Sequence, residues 1–365
     1  MDVGRGYAVF GSTGALVFAA ITGLAIYLCS AAGPANLEPA NGATNQRKGQ
    51  LRMTDNGELH VVFGTGPVGM SVMETLMQTS GRRIRLVNRS GKASVPDGIE
   101  VLGGDATDEA FAREASEGAS VVYFALNPPY DKWPELFPPL QAGVLGGAAS
   151  AGAKLVAMEN LYMYGPTDGR PLTEDLPYAP NTRKGAVRAR MSEQLIEAHR
   201  SGRVRVAIGR ASDYFGPRVL VSSAGEQVFG RAVRGKSAQV AGDPDQPHTY
   251  TYAPDVGRGL IILGEREEAL GQAWHLPSPE TVTTRRFVEM IFEEVGKPAR
   301  VQAAPKILLR AMGHFNPGMR EMIEMLYEFE EPFVVDHSKF EQAFGEHATP
   351  LSEAIQRTVR WYREQ

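Results

Sequence analysis

The stretch LHVVFGTGPVGMSVMETLM, residues 59–77, decides the fold of this chain. It opens with a short apolar run, passes through a Gly-x-Gly-x-x-Gly turn and continues into an amphipathic segment with helical spacing. Between a strand and a helix, such a turn lets the backbone approach a pyrophosphate and points the helix N-terminus at that anion. The stretch therefore predicts a dinucleotide-binding unit in which the turn contacts the cofactor through Gly64, Thr65, Gly66, Pro67, Val68 and Gly69.

The alternation of strand and helix continues down the chain to about residue 210. Apolar runs of strand length occur at residues 60–63, 84–87, 99–102, 121–125, 155–158 and 204–208. Amphipathic stretches lie between them, at residues 68–79, 108–117 and 188–200. This alternation is typical of an α/β fold whose parallel sheet is covered on both faces. We therefore predict a Rossmann-type, doubly wound parallel sheet at residues 58–210.

The chain after residue 210 has a different pattern. Pro and Gly become frequent, and the clearest helical segments are residues 284–295 and 352–362. We predict a smaller C-terminal substrate lobe at residues 211–365, from which strands return to the first domain.

The composition excludes several classes of protein. The 365 residues carry a formal net charge of -4, whereas a nucleic-acid-binding protein needs a basic face. Cys29 is the only cysteine, so the chain forms neither an intrachain disulfide nor a cysteine-based zinc site. The seven histidines include no His-x-x-x-His pair. We therefore predict no protein-bound metal.

The N-terminal segment is apolar and almost uncharged. No charged side chain occurs between Gly6 and Leu37, and the run at residues 7–32 exceeds the ~20 residues that span a bilayer as a helix. We predict one hydrophobic helix within residues 1–33 as a membrane anchor. Residues 34–57 are rich in Gly, Ala, Asn and Pro, which indicates a flexible tether.

The charges around this segment predict its orientation. Arg47, Lys48 and Arg52 follow the apolar run and only Arg5 precedes it, which favours a cytoplasmic C-terminal bulk. A cleaved signal peptide is one alternative. Translation that starts at Met53 is another, and it would give a cytoplasmic protein without an anchor.

The loop after the second predicted strand bears on the choice between NAD and NADP. An acidic residue about 20 positions after the glycines would bind the ribose 2′-hydroxyl of NAD, but Asn88 and Arg89 stand there. Asn88 does not repel a 2′-phosphate and Arg89 can pair with one, so NADP is favoured and NAD is the alternative. After the third strand come Asp105, which can accept a hydrogen bond from the adenine amino group, and Ala106.

Further motifs share their order and spacing with one known family. They are GGDATD at 103–108, YFALN at 123–127, LYMYGP at 161–166, GRASDYFGP at 209–217, YTYAPDVGRGL at 250–260, AWHLPSPETVTTRRF at 273–287 and VRWYRE at 359–364. Together with the glycine turn they resemble the NAD-dependent epimerase/dehydratase branch of the short-chain dehydrogenase/reductases, from about residue 59 onward. The resemblance implies that Ala125 and Asn127 belong to the cofactor site and that Asp213, Tyr214 and Tyr250 lie on the substrate side.

The catalytic residues of that family are altered in this sequence. The family uses a Ser or Thr, a Tyr and a Lys four residues after the Tyr, but no Tyr-x-x-x-Lys occurs here. Aligned on Tyr164, the hydroxyl position falls on Asn160, and the Tyr and Lys positions fall on Lys184 and Arg188. Arg188 and the positive cofactor ring would repel a proton from Lys184, which makes Lys184 the candidate proton carrier. Asn160 would orient the substrate oxygen, and Tyr164 or Tyr162 is the alternative proton donor.

Two classes of function follow from these residues. The first is an NAD(P)-dependent oxidoreductase, epimerase or dehydratase that acts on a small metabolite with a hydroxyl or carbonyl group. The second is a non-catalytic dinucleotide sensor, which the missing Tyr and Lys favour. The glycine turn and the attached substrate lobe favour the enzyme.

Overall fold

The computed structural model describes residues 57–79, 81–304 and 323–365. The predicted membrane-anchoring helix, and the predicted tether up to residue 56, lie outside these ranges. Within them, no helix is both long enough and apolar enough to cross a bilayer.

A parallel sheet of seven strands forms the centre of the described chain. The strands are β1 (Glu58–Phe63), β2 (Arg82–Asn88), β3 (Glu100–Gly103), β4 (Ala119–Phe124), β5 (Lys154–Glu159), β6 (Arg205–Arg210) and β7 (Ala273–His275). All pairings between them are parallel, which confirms the predicted α/β fold. The first six strands match the predicted apolar runs. The position of the seventh strand was not predicted, because three residues are too few to show a periodic pattern.

The order of the strands creates a crevice. The order is β7-β6-β5-β4-β1-β2-β3, so β1 pairs with both β2 and β4. The connections that follow β1 and β4 therefore leave toward opposite faces of the sheet, and a crevice opens beyond their carboxyl ends. The glycine turn follows β1 directly and lies at this crevice.

Helices pack on both faces of the sheet. They are α1 (Pro67–Met77), α2 (Glu109–Ser116), α3 (Trp133–Ala151), α4 (Arg183–Arg200) and α5 (Ala253–Glu265). Helix α1 packs against α5, and α3 packs against both α2 and α4. Neighbouring strand residues point to opposite faces: Val61 joins the core beneath α3 and α4, whereas Val62 joins the core beneath α1 and α5.

The C-terminal half builds a smaller lobe and also returns to the sheet through α5 and β7. Helices α6 (Thr284–Val295) and α8 (Leu351–Arg363) pack together around an aromatic core that includes Phe215, Phe229 and Phe287. Helix α7 (Ser338–Phe344) packs on β7. Short strands complete the lobe, at Tyr214–Phe215, Ala238–Ala241, Pro247–His248, Thr251–Tyr252, Val282–Thr283 and Val301–Ala304. Short helical turns lie at Tyr130–Lys132, Tyr162–Tyr164, Gly225–Gly230, Arg231–Val233, Glu267–Ala269 and Leu326–Phe329.

Candidate active site

The three glycines of the turn have different surroundings. Gly64 has a φ of +117°, and a Cβ there would lie 2.5 Å from the Ala125 carbonyl oxygen. A Cβ at Gly69 would lie 2.0 Å from the Gly64 carbonyl oxygen. A Cβ at Gly66 would meet nothing within 4 Å. The fold itself therefore needs Gly64 and Gly69, whereas the missing side chain at Gly66 leaves room for a ligand.

A cavity of about 1170 Å³ extends from this turn into the C-terminal lobe. Every predicted cofactor residue except Gly69 lines it, namely Gly64, Thr65, Gly66, Pro67, Val68, Asn88, Arg89, Asp105, Ala106, Ala125 and Asn127. The predicted substrate residues Asp213 and Tyr214 line the same cavity. The predicted cofactor and substrate residues thus line one continuous space.

Two polar side chains shape the end of the cavity near β2 and β3. The Asn88 side chain donates to Thr65 Oγ1 at 3.1 Å and accepts from the backbone N–H of Gly91 at 2.8 Å. Asp105 accepts from the backbone N–H and the hydroxyl of Thr107, both at 2.9 Å. The backbone hydrogen bond is the main reason that the pKa of Asp105 lies below its usual value. Both side chains therefore hold loops in place, while Arg89 is exposed at the edge.

Lys184 does not occupy the position that the sequence suggested for it. It is 1% exposed, its Nζ lies 3.0 Å from Glu324 Oε2, and it stands 4.4 Å from the centre of the Tyr130 ring. It is not among the cavity-lining residues, whereas Arg188, one helical turn further along α4, is. Lys184 is thus paired with a carboxylate, and its position outside the cavity lining does not support the prediction that it carries the proton.

A buried ion cluster lies beneath the cavity at the end of β5. Glu159, Arg188 and Arg210 are each 1% exposed. The Glu159 carboxylate lies 3.5 Å from Arg188 Nη2 and accepts a hydrogen bond from Arg210 Nε at 3.1 Å. In the described residues, the Arg188 Nε has no hydrogen-bond partner. One carboxylate between two guanidinium groups offsets much of the cost of burying them.

Tyr164 lies under this cluster and not in the cavity. Its hydroxyl lies 2.9 Å from His275 Nε2 and accepts a hydrogen bond from Arg210. Burial raises the pKa of Tyr164 above its ordinary value. Tyr164 is therefore a packed, hydrogen-bonded residue, whereas the neighbouring Tyr162 lines the cavity.

Of the two remaining predicted residues, one lines the cavity and the other is packed in the core of the lobe. Asn160 lines the cavity, and its Oδ1 accepts from the Tyr162 backbone N–H at 3.3 Å. Tyr250 does not line it, because the ring stacks 4.2 Å from Phe287 and the hydroxyl hydrogen-bonds Thr284 at 2.9 Å. The assignment of Tyr250 to the substrate side is thus not supported by its position in the core of the lobe.

Comparison with known proteins adds to this geometry. A profile of the NAD dependent epimerase/dehydratase family matches residues 61–276, which is more than half of the chain. The chain belongs to the NAD-dependent epimerase/dehydratase family. The matched range contains the glycine turn, the ion cluster and the residues Asp213 and Tyr214.

Relatives of this family member have sequence identities near one fifth. A dTDP-glucose 4,6-dehydratase of Actinoplanes sp. is 23% identical over 202 residues, which is 55% of this chain and 57% of that protein. One from Streptomyces griseus is 21% identical over 213 residues, 58% of this chain and 59% of that protein. The match therefore spans less than two thirds of the length of either relative.

Solved structures share the fold over most of the chain. Epimerase Mth375 from Methanothermobacter thermautotrophicus has a TM-score of 0.71 at 20% identity, with 85% of this chain and 94% of that chain covered. UDP-glucuronic acid 4-epimerase from Bacillus cereus in complex with NAD has a TM-score of 0.67 at 16% identity, with 84% and 97% covered. At these identities the likeness shows a common fold.

Sequence reasoning missed several residues of this family member's cavity region, among them Glu328, Tyr130 and His248. Glu328 and Tyr130 line the cavity, and His248 lies beside it with its Nε2 3.0 Å from Asp213 Oδ2. Glu328 stands in the acidic run YEFEEP, where a pattern alone cannot separate a buried carboxyl from solvated ones. In the described ranges, no group of three or more His, Cys, Asp or Glu side chains could hold a metal ion.

Proposed function

We propose that this family member is an NAD(P)-dependent enzyme that oxidises, reduces, epimerises or dehydrates a small metabolite with a hydroxyl or carbonyl group. The observation that carries this proposal is the single cavity that joins the glycine turn to Asp213 and Tyr214. A cofactor on the turn and a substrate in the lobe would meet inside that space. Transfer of hydrogen between two molecules requires such a meeting.

The residues of the turn fit a dinucleotide. The open space at Gly66 and the N-terminus of α1 suit a pyrophosphate, and the nicotinamide group supplies a hydride acceptor or donor when it is bound. We propose that Asp105, which lines the same cavity, accepts a hydrogen bond from the adenine amino group. Arg188 lies in the wall of the cavity beside Glu159, and its Nε–H, which has no partner among the described residues, can donate to a bound polar group.

We propose NADP as the preferred dinucleotide, although several structural neighbours are bound to NAD. The support is local to the loop after β2. Asn88, at the position where an acidic residue would bind the ribose of NAD, is uncharged, and its side chain is held by Thr65 and Gly91. Arg89 is exposed beside it and can pair with a 2′-phosphate.

Nucleotide sugars are the first substrate class to test. The named relatives are dTDP-glucose 4,6-dehydratases, and one structural neighbour was solved with UDP-glucuronic acid and NAD. The full-length protein would be incubated with each dinucleotide and a panel of nucleotide sugars and simple ketones. Products would be identified by mass spectrometry, because an epimerase or dehydratase that recycles its cofactor gives no net change in nicotinamide absorbance.

A second candidate is a dinucleotide sensor without catalysis. It is favoured by the absence of a Tyr-x-x-x-Lys and by the positions of Lys184 and Tyr164 outside the cavity. Tight dinucleotide binding without conversion of any compound in the panel would support the sensor. Conversion of one compound, lost when the turn is blocked, would support the enzyme.

A further inference from the structure

Glu328 is a buried glutamate in the wall of the cavity. It lies in the short turn Leu326–Phe329, is 2% exposed and lines the cavity. In the described residues its Oε1 has no hydrogen-bond partner. Glu159, by contrast, is buried between two arginines. Burying a carboxyl oxygen without a hydrogen bond costs free energy. Its presence in a cavity wall therefore points to a ligand that forms a hydrogen bond with it.

One histidine links Glu328 to the other carboxyl at this end of the cavity. Nδ1 of His248 lies 3.2 Å from the Glu328 carbonyl oxygen, and its Nε2 lies 3.0 Å from Asp213 Oδ2. The imidazole also stacks on Phe329 and Phe333, at 5.0 and 5.2 Å between ring centres. The backbone of Glu328 and the side chain of Asp213 are therefore held by the same rigid group.

The charges around Glu328 favour a bound proton on its carboxyl. Burial raises the pKa of Glu328 well above its ordinary value, and the negative charge of Asp213 raises it further. The other groups that face this end are Tyr130 and Tyr162, whose hydroxyls are 3.4 Å apart. Removal from bulk water raises the pKa of both phenols well above the usual value, so both stay neutral. Burial likewise raises the pKa of the adjacent Tyr327.

We propose that Glu328 is the catalytic proton donor to the substrate oxygen, a role that rests on the proposed function. When a substrate carbonyl is reduced by the dinucleotide's hydride, the O–H bond of the Glu328 carboxyl breaks and its proton passes to the oxygen that becomes the hydroxyl. The carboxylate that remains takes a proton from water. In the opposite direction the carboxylate accepts the hydroxyl proton as the carbonyl forms.

The test compares Glu328→Gln with Glu331→Gln, a matched change at an exposed glutamate three residues further along the same segment. We expect the infrared band of a protonated carboxyl near neutral pH in the wild type and in Glu331→Gln, and its loss in Glu328→Gln. With a compound that the wild type converts, Glu328→Gln should lower kcat by ~10² to 10⁴, the usual loss for a general acid. The dinucleotide affinity of Glu328→Gln should stay at the wild-type level. The kcat of Glu331→Gln should also equal that of the wild type.

A third variant keeps the role testable if Glu328→Gln does not fold. Asp213→Asn removes the negative charge beside Glu328 and should lower its pKa, so the alkaline fall of the carbonyl-reducing activity should move to lower pH. If this activity falls at the same pH in Asp213→Asn as in the wild type, the role of Glu328 as proton donor is refuted.

Other outcomes also refute the proposal, in distinguishable ways. An unchanged infrared band, or kcat equal in the two glutamine variants, would refute the role of Glu328 alone. If the wild type converts no compound, the proposed function fails, and the role of Glu328 fails with it.

Discussion

Replacing Gly66 should remove dinucleotide binding without weakening the fold. The backbone at Gly66 is extended, with φ -74° and ψ -176°, which any residue can adopt, and a Cβ there would meet no protein atom within 4 Å. We expect Gly66→Val to change the free energy of unfolding by no more than ~0.5 kcal/mol, as for other substitutions that touch no packed group. Its side chain would instead occupy the space in which the pyrophosphate approaches the turn. We expect the dissociation constant to rise at least ~100-fold, about 2.7 kcal/mol.

Gly69 provides the matched control, because there the protein itself leaves no room. A Cβ at Gly69 would lie 2.0 Å from the Gly64 carbonyl oxygen, and backbone must move to relieve that contact. We expect Gly69→Ala to lower the free energy of unfolding by ~1–3 kcal/mol, as overpacking does elsewhere. The two variants should therefore separate a loss of binding from a loss of stability.

Calorimetric titration with NADP and NAD measures the first quantity, and urea unfolding without cofactor measures the second. The full-length wild type serves as reference for both. Wild-type affinity in Gly66→Val would show that no pyrophosphate lies on this turn. A stability loss in Gly66→Val as large as that in Gly69→Ala would contradict the inference that a side chain at position 66 meets no protein atom.

Three further predictions concern specificity, localisation and pH. Arg89→Ala should weaken NADP binding ~10-fold and leave NAD binding unchanged. If the wild-type protein already binds NAD more tightly than NADP, the NADP proposal is refuted. We propose that the full-length protein is membrane-anchored with its bulk in the cytoplasm; it should fractionate with membranes, and native N-terminal peptides that begin at Met53 would refute the anchor. Burial, and then the charge of Arg210, lower the pKa of His275 to about 3, so the unfolded chain binds this proton near pH ~6.5 and the folded chain does not. The free energy of unfolding should therefore fall as the pH drops from ~6.5 toward about 3, by up to ~1.4 kcal/mol per pH unit. Urea unfolding of His275→Gln should show a smaller fall per pH unit.

The residues proposed for the cofactor half of the site could be named from the sequence because their relations are local. A strand, a glycine turn and a helix follow one another within residues 59–77, and period and turn chemistry are properties of neighbouring residues. The carboxyl ends of parallel strands meet at one edge of a sheet, so the loops that contain Asn88 and Asp105 lie at the same edge. The membrane-anchor prediction rests on composition alone and remains a prediction.

The sequence by itself thus determined the α/β sheet, the family and the wall of the cavity beside the glycine turn. Tertiary structure alone decided which side chains line the end of the cavity in the C-terminal lobe. Lys184 was aligned with a catalytic position, yet it pairs with Glu324, 140 residues away. Arg188 lines the cavity, and Lys184 does not. Glu328 comes near Asp213 only because the C-terminal lobe folds its short turn against His248. The direction in which such a side chain points depends on packing between distant segments, and no local pattern records that packing.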